Sequence, residues 1–309
     1  MAKYRIISLD GGGIRGLITV ILLQRLGTEP GLNGWLDQVD LVAGTSTGGL
    51  LALAIAKGLD LQTIRVLYEN KGGEIFDDSW LDNIVDLGTV IGAEYDNKNL
   101  GRDVRNVLSD TILGELKHSV LVTSFDLDNE DKDPTKRTWK PKLFHNIPGR
   151  DNDGERLAYK VALYTSAAPT YFPSVDGYID GGVFANNPSM CALSQTQDNR
   201  NSNRPSLSDV VLLSLGTGTS LTYIKGKTLD WGYAQWVKPL ISLMLDGVVG
   251  IADYQCKQIL GDRYLRIAPK FPPGVSIPLD GVKRVPDMIN FANNVSLTDA
   301  VAWLKTNWF

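Results

Sequence analysis

Val39-Asp40-Leu41-Val42-Ala43-Gly44-Thr45-Ser46-Thr47-Gly48 is the stretch on which the reading of this chain turns. Its apolar start reads as a strand, and the following Leu50-Leu51-Ala52-Leu53-Ala54-Ile55-Ala56 reads as a helix closed by Gly58. Between them a serine stands in the pattern Gly-x-Ser-x-Gly. That is the strand-turn-helix context of a nucleophile elbow, a turn too sharp for side chains on its glycine positions. The serine would then stand at a helix N-terminus, where backbone dipoles stabilise developing negative charge. A Gly/Ser/Thr turn between strand and helix is also often only a turn, so the choice rests on the rest of the chain.

Working outward, strand and helix patterns alternate: a strand at 4–9, a helix from about 16, a strand near 39–43 and a helix from 46. Alternation of this kind predicts an α/β protein with a mainly parallel central sheet flanked by helices. Further strands are expected at 119–123, near 178–180, at 210–214 and at 264–267. Helical spacing falls around 60–70, 98–109, 156–164, 188–197, 235–260 and 297–306. A chain of 309 residues has room for one large domain or two smaller ones. No convincing linker interrupts it, so a single domain over 1–309 is expected, with motifs densest in 4–220 and 221–309 as its helical C-terminal part.

Composition narrows the partners. With 21% charged residues and a net charge of −4, the chain makes no global electrostatic case for nucleic acid. Its two cysteines, Cys191 and Cys256, lie in apolar or helical-looking segments and read as buried small side chains in a reducing compartment. The N-terminus runs directly into Tyr4-Arg5-Ile6-Ile7-Ser8-Leu9 with no visible signal peptide, and the apolar region from Pro239 to Ile251 falls short of the ~20 residues a bilayer crossing needs. A cytoplasmic protein, at most peripheral at membranes, is expected. The acidic stretch 126–137 invites comparison with a calcium loop and fails it, because Asp131 stands where such a loop needs glycine and Arg137 where it needs glutamate. No metal and no cofactor is expected.

The first strand ends in Asp10-Gly11-Gly12-Gly13-Ile14-Arg15-Gly16 and leads into a predicted helix from Leu17. Gly11, Gly13 and Gly16 satisfy a dinucleotide fingerprint. Alternatively, consecutive glycines aim their N–H groups at the oxyanion of an acyl-transfer intermediate. A dinucleotide site wants an acidic residue at the carboxyl end of the second strand, yet Asp37 and Asp40 lie at its amino end and Gly44-Thr45-Ser46 stands at the other. Neighbouring carboxyl ends share one crevice in an open parallel sheet, which favours the oxyanion reading. Arg15 either meets a substrate phosphate or pairs with a carboxylate.

A serine nucleophile needs a base, and the usual one is histidine. His118 begins a strand and His145 follows Lys142-Leu143-Phe144 in an edge strand or loop, so both read as structural. Asp180 is the stronger candidate, closing a strand ahead of Gly181-Gly182. An aspartate titrates near pH ~4 in water, and partial burial beside a low-polarity crevice would raise that value.

These motifs together resemble the patatin-like phospholipases. The matching blocks are Asp10 to Gly16, then Gly44 to Gly48, then Thr165-Ser166-Ala167-Ala168-Pro169-Thr170-Tyr171-Phe172-Pro173, then Asp180-Gly181-Gly182 running into Asn186-Asn187-Pro188; Leu215-Gly216-Thr217-Gly218 is a further feature. The resemblance implies a three-layer α/β/α fold and a calcium-independent lipid acyl hydrolase. In that reading Ser46 is the nucleophile, Asp180 its activating partner, and Gly11, Gly12 and Gly13 the oxyanion hole. The substrate would be a phospholipid or another polar acyl lipid. The aromatic segment 231–245 (Trp231, Tyr233, Trp236) is either a helix packed on the core or a lid or membrane-docking face. Three alternatives stay open: acyl transfer by the same dyad, a nucleotide-binding module using Gly11 to Gly16, and an effector lipase silent until an activating partner, small signal or oligomerisation arrives.

Overall fold

Along the first strand, consecutive isoleucines turn to opposite sides of the sheet and are both buried: Ile7 joins one apolar cluster and Ile6 another. A strand covered on both faces needs no polar alternation, which is why its sequence is a continuous apolar run. The computed structural model describes residues 3–75, 98–169 and 171–309. In chain order they form β1 (Tyr4–Leu9), α1 (Gly16–Gly27), β2 (Leu41–Thr45), α2 (Thr47–Lys57), α3 (Leu61–Ile75), α4 (Lys98–Leu108), β3 (Ser119–Asp126), β4 (Lys140–His145) and α5 (Ala158–Ser166). There follow β5 (Tyr178–Asp180), α6 (Gly182–Ala185), α7 (Ser189–Thr196), β6 (Val210–Leu215), α8 (Tyr233–Leu260), β7 (Tyr264–Ile267), α9 (Val285–Asn294) and α10 (Thr298–Asn307).

The sheet runs β4-β3-β2-β1-β6-β7. The four pairings from β3 through to β7 are parallel, whereas β4 and β5 pair antiparallel with β3. Helices α1, α2, α5 and α9 contribute to the larger cluster on one face, and α7 with the end of α8 to the smaller one on the other. The result is the three-layer α/β/α arrangement. Nine of the eleven residues of α2 are buried, so the helix that follows the serine turn is clamped in the core.

One feature of the topology places the site. β4 occupies one edge of β3 from Leu121 to Asp126. On the opposite edge β2 pairs up to Thr45↔Thr123, and β5 takes over at Ser124↔Asp180. β2 and β5 therefore meet end to end along the same strand.

The structure moves some expected boundaries. β2 lies two residues later than expected, because a 3-10 turn at Leu36–Gln38 precedes Val39 and the chain stays extended through Gly44 into Thr45. α9 was not expected from the pattern; its Asn-rich exposed side weakens the apolar signal, although Pro286 fits its first turn. The C-terminal aromatics divide: Trp308 is fully buried, its ring edge-on to Trp35 at 5.6 Å and its Nε1 donating to the Trp35 carbonyl at 2.9 Å, while Phe309 is exposed. Among the described residues no helix is long and apolar enough to cross a membrane.

Candidate active site

Ser46 follows the last residue of β2 and caps α2 with φ 54° and ψ −126°. A non-glycine residue at such a φ carries strain of about 1–3 kcal/mol, which the surroundings must impose. Here Thr165 Oγ1 accepts from the Ser46 N–H at 2.8 Å, and the Ser46 carbonyl accepts from Gly49 and Leu50 at 2.8 and 3.0 Å. Thr45 is pinned beside it, with its Oγ1 2.7 Å from that of Thr123 and donating to the Ala185 carbonyl at 2.6 Å. The flanking glycines are obligatory through close approach: a methyl on Gly44 would run into the Gly48 carbonyl, and one on Gly48 into the Leu9 carbonyl.

Asp180 closes β5 and is buried, 5% exposed. Burial pushes its carboxyl up from the ordinary value to about 6, while hydrogen bonds from the Gly182 N–H and the Ser46 hydroxyl pull the other way. The Gly182 bond measures 2.7 Å. The Asp180 N–H donates to the Ala167 carbonyl at 2.9 Å, which ties the strand end to the end of α5.

Ser46, Asp180, Gly11 to Gly13 and Arg15 all line one crevice of about 530 Å³. It opens where the carboxyl ends of β1, β2 and β6 meet, the expected place for a ligand in a parallel sheet. The glycine loop is corrected in one respect. The Gly11 N–H donates to the Asn186 carbonyl at 3.0 Å and so is not available to an oxyanion. Neither the Gly12 nor the Gly13 N–H meets an acceptor among the described residues. Gly13 has φ +58°, and a methyl there would strike the Leu279 carbonyl. That same carbonyl accepts from the Ile14 N–H at 2.8 Å. Four N–H donors of the Gly11 to Gly16 loop, those of Gly11, Ile14, Arg15 and Gly16, are thus already bonded, which weakens the cradle a pyrophosphate would need.

Arg15 forms no ion pair among the described residues; its nearest acceptors are the Gly12 and Ile277 carbonyls at 3.4 and 3.5 Å. Burial lowers its pKa, and Asp246, Tyr171 and Asp10 oppose that shift. Asp10, at the root of the loop, is held by Arg266 from β7, with contacts of 2.5 and 3.1 Å, and Arg266 also donates to Ser214 Oγ at 2.7 Å. Among the described residues no group of three or more His, Cys, Asp or Glu is arranged to hold a metal ion. In the 126–137 loop, Asp128 instead receives Arg137 Nε at 2.8 Å.

Neither histidine lines the crevice. His145 pairs opposite Leu121, before the point on β3 where Asp180 enters; burial lowers its pKa and its Nε2 lies 3.2 Å from Gln195. His118 donates its N–H to the Ala56 carbonyl at the other end of α2. Sequence reasoning placed Thr165 and Ser166 in a matching block without a role, and Arg266 only in a strand. Ser166 lines the crevice with a buried Oγ that has no hydrogen-bond partner among the described residues. The run Thr165-Ser166-Ala167-Ala168-Pro169 reads well as a helix end, and its hydroxyls carry no sequence mark of where they point. Arg266 sits in an ordinary strand pattern, with nothing local to link it to Asp10.

A mostly parallel sheet with a crevice at its strand ends, and a serine turn beside a glycine loop, is an arrangement suited to an α/β hydrolase. The chain belongs to the patatin-like phospholipase family, whose model matches residues 7–193. It is similar to a "cGAMP-activated phospholipase" of Pseudomonas aeruginosa, 31% identical over 91% of this chain and 83% of that protein. It is similar to the "Putative sporulation hydrolase CotR" of Bacillus subtilis at 28% identity, covering 100% of this chain and 99% of that one. Among solved structures, VipD from Legionella pneumophila aligns with 95% of this chain and 67% of its own, with a TM-score of 0.44 and 13% identity.

Proposed function

We propose that this chain is a calcium-independent lipid acyl hydrolase of the phospholipase A or lysophospholipase type, working through a Ser46–Asp180 dyad. The observation that carries the reading is that Ser46, at its positive-φ turn, and the buried Asp180, whose pKa burial pushes up to about 6, line one crevice. A base is most effective when its pKa lies near the working pH, and an aspartate in water is too weak. Ser46 Oγ attacks the acyl carbonyl as its proton passes to Asp180. The N–H groups of Gly12 and Gly13 receive the oxyanion, aided by the N-terminus of α2. Asp180 returns the proton to the departing alkoxide, leaving acyl-Ser46 and a lysolipid or glycerol derivative. Water then attacks the acyl-enzyme with Asp180 again as base, releasing fatty acid and free Ser46.

Arg15 supplies a cation to the crevice for the phosphate of a phospholipid head group, a role supported by its lack of an ion pair among the described residues. Next to the crevice, α8 exposes Leu240, Leu243, Met244, Ile251 and Tyr254, and Met244 also lines the crevice. An exposed apolar helix face beside a lipid-binding mouth suits contact with a membrane surface. This widens the face expected at 231–245 toward Tyr254.

The test is labelling by a fluorophosphonate with peptide mapping, then hydrolysis of a defined phospholipid panel by wild type and Ser46→Ala, with and without a calcium chelator. Modification of a serine other than Ser46, or turnover retained by Ser46→Ala, overturns the assignment. Product analysis with an added lysolipid or alcohol separates hydrolysis from acyl transfer. Because the Pseudomonas aeruginosa relative is named for activation by cGAMP, the panel is run with and without it.

A further inference from the structure

Three consecutive glycines leave a backbone free to turn its peptide planes, because without Cβ atoms both halves of φ space are open to them. In a trans peptide the carbonyl of one residue and the N–H of the next point in opposite directions. Half a turn of the Gly11–Gly12 plane would therefore withdraw the Gly12 N–H and present a carbonyl oxygen in its place. That oxygen would repel an oxyanion. Whatever holds the carbonyl end of the plane decides where the donor points.

Each plane of the loop is held. The Gly11 N–H donates to the Asn186 carbonyl at 3.0 Å, which fixes the Asp10–Gly11 plane. The Gly12 carbonyl accepts from the Arg15 N–H at 3.2 Å, a bond within one turn, which fixes the Gly12–Gly13 plane. Between them the Gly11 carbonyl accepts from the Thr217 hydroxyl at 3.1 Å, a bond across 206 residues. Thr217 is buried, lines the crevice and stands two residues past the end of β6, the strand beside β1. Its side chain lies against the loop: a methyl on Gly12 would collide with its Oγ1, Cβ and Cγ2. Its own backbone is tied on both sides, by the Gly216 N–H to the Ile267 carbonyl at 2.9 Å and by the Thr219 N–H to the Pro269 carbonyl at 3.0 Å.

We propose that Thr217 is a positioning residue of the acyl hydrolase, its hydroxyl holding the Gly11 carbonyl so that the Gly12 N–H faces the oxyanion formed at Ser46. It acts through the peptide plane rather than on the reacting atoms. A bonded carbonyl also polarises its amide and strengthens the N–H as a donor. This role rests on the readings of Ser46 as nucleophile and of the Gly12 N–H as oxyanion donor, and the experiment separates its failure from that of the nucleophile.

Two comparisons delete the hydroxyl while keeping the shape: wild type against Thr217→Val, and Thr217→Ser against Thr217→Ala. Removing an oxyanion donor outright costs about 100-fold or more, and loosening one costs less. In each comparison kcat for a soluble ester is expected to fall about tenfold with KM changed less than about twofold, because the donor acts in the transition state. Thr217→Ser, which keeps the hydroxyl, should rescue kcat relative to Thr217→Ala.

An alkyl trifluoromethyl ketone supplies a readout that a merely structural role would not move. Ser46 Oγ adds to its carbonyl carbon, the proton passes to Asp180, and the ketone oxygen becomes the oxyanion. Its inhibition constant should rise about tenfold in each comparison, while that of the matching secondary alcohol, which forms no oxyanion, stays the same. Unchanged kcat and ketone inhibition, or equal losses for ketone and alcohol, would overturn the role of Thr217 and leave Ser46 in place. If fluorine NMR of the wild type shows no tetrahedral adduct that Ser46→Ala abolishes, the nucleophile reading fails and the role of Thr217 with it. Should Thr217→Val fail to fold by circular dichroism, the serine and alanine variants decide.

Discussion

Ser46 and Asp180 meet because the strands that carry them lie end to end: β2 leaves the edge of β3 at Thr123, and Asp180 enters at Ser124, the next residue along. The register of one antiparallel three-residue strand thus fixes the distance between a proposed nucleophile and its base. Slipping β5 by one residue would turn Asp180 to the opposite face of the sheet.

Turnover is expected to follow the ionisation of Asp180. The carboxylate form is the base, so kcat/KM should rise with pH through about 6 and then level off. Asp180→Asn should lower turnover by about 10³-fold or more. A pH profile of a soluble ester substrate checks both.

The same group sets a stability trade-off. Its folded pKa of about 6 stands above the ordinary 3.8, so between those values the native chain holds a proton the unfolded chain has lost. Its ionised form opposes folding, and the penalty grows as pH rises through that window and is complete above it. Asp180→Asn, which keeps an acceptor for the Gly182 N–H, is therefore expected to stabilise the protein at pH 7 by on the order of 2–3 kcal/mol and to change little at pH 4. Denaturant titrations of both proteins at the two pH values give the answer; equal effects at both would refute the burial argument.

Gly13→Ala combines a left-handed φ with a collision against the Leu279 carbonyl. A loss of about 100-fold in turnover together with about 1–3 kcal/mol in stability is expected. Gly250→Ala is the control: it lies in α8, a methyl there meets nothing within 4 Å, and it should stabilise by up to about 1 kcal/mol. Thermal melts and ester assays distinguish the two glycines.

Arg15→Met should raise KM for a phospholipid by about tenfold while changing KM for an uncharged acyl ester much less, since a charge-assisted hydrogen bond contributes about 1.5–3 kcal/mol. Equal effects on both substrates would reassign Arg15 to the support of the glycine loop.

Docking through α8 predicts a blue shift of tryptophan emission on adding anionic or zwitterionic phospholipid vesicles, because Trp231 and Trp236 stack edge to face at 5.1 Å at the start of that helix. Leu240→Asp with Leu243→Asp should weaken vesicle binding about tenfold or more. Vesicle sedimentation that is indifferent to the pair would leave α8 without this role.

Much of this was legible in the residues. The buried strands are apolar runs because both faces are covered, and the need for Gly44 follows from its clash with the Gly48 carbonyl four residues on, whereas Gly48 is required by the Leu9 carbonyl of the neighbouring strand. Asp180 could be picked out because it closes a strand ahead of two glycines that permit close approach. The Gly11 N–H was misjudged, since nothing in Asp10-Gly11-Gly12-Gly13 tells which amide will find the Asn186 carbonyl. The roles of Thr165 and Arg266 escaped for the same reason, since Ser46 and Asp10 are remote from them in sequence.

The sequence by itself determined the alternation of strand and helix, the sharp turn at Ser46 and the family pattern, because those depend on periodicity and backbone sterics within a few residues. Tertiary structure alone decided that β5 enters β3 where β2 ends, that burial lifts the Asp180 pKa to about 6, and that the Gly11 N–H is taken by the Asn186 carbonyl. Those properties are set by desolvation and by the packing of segments distant in the chain, and they exist only once the layers have closed.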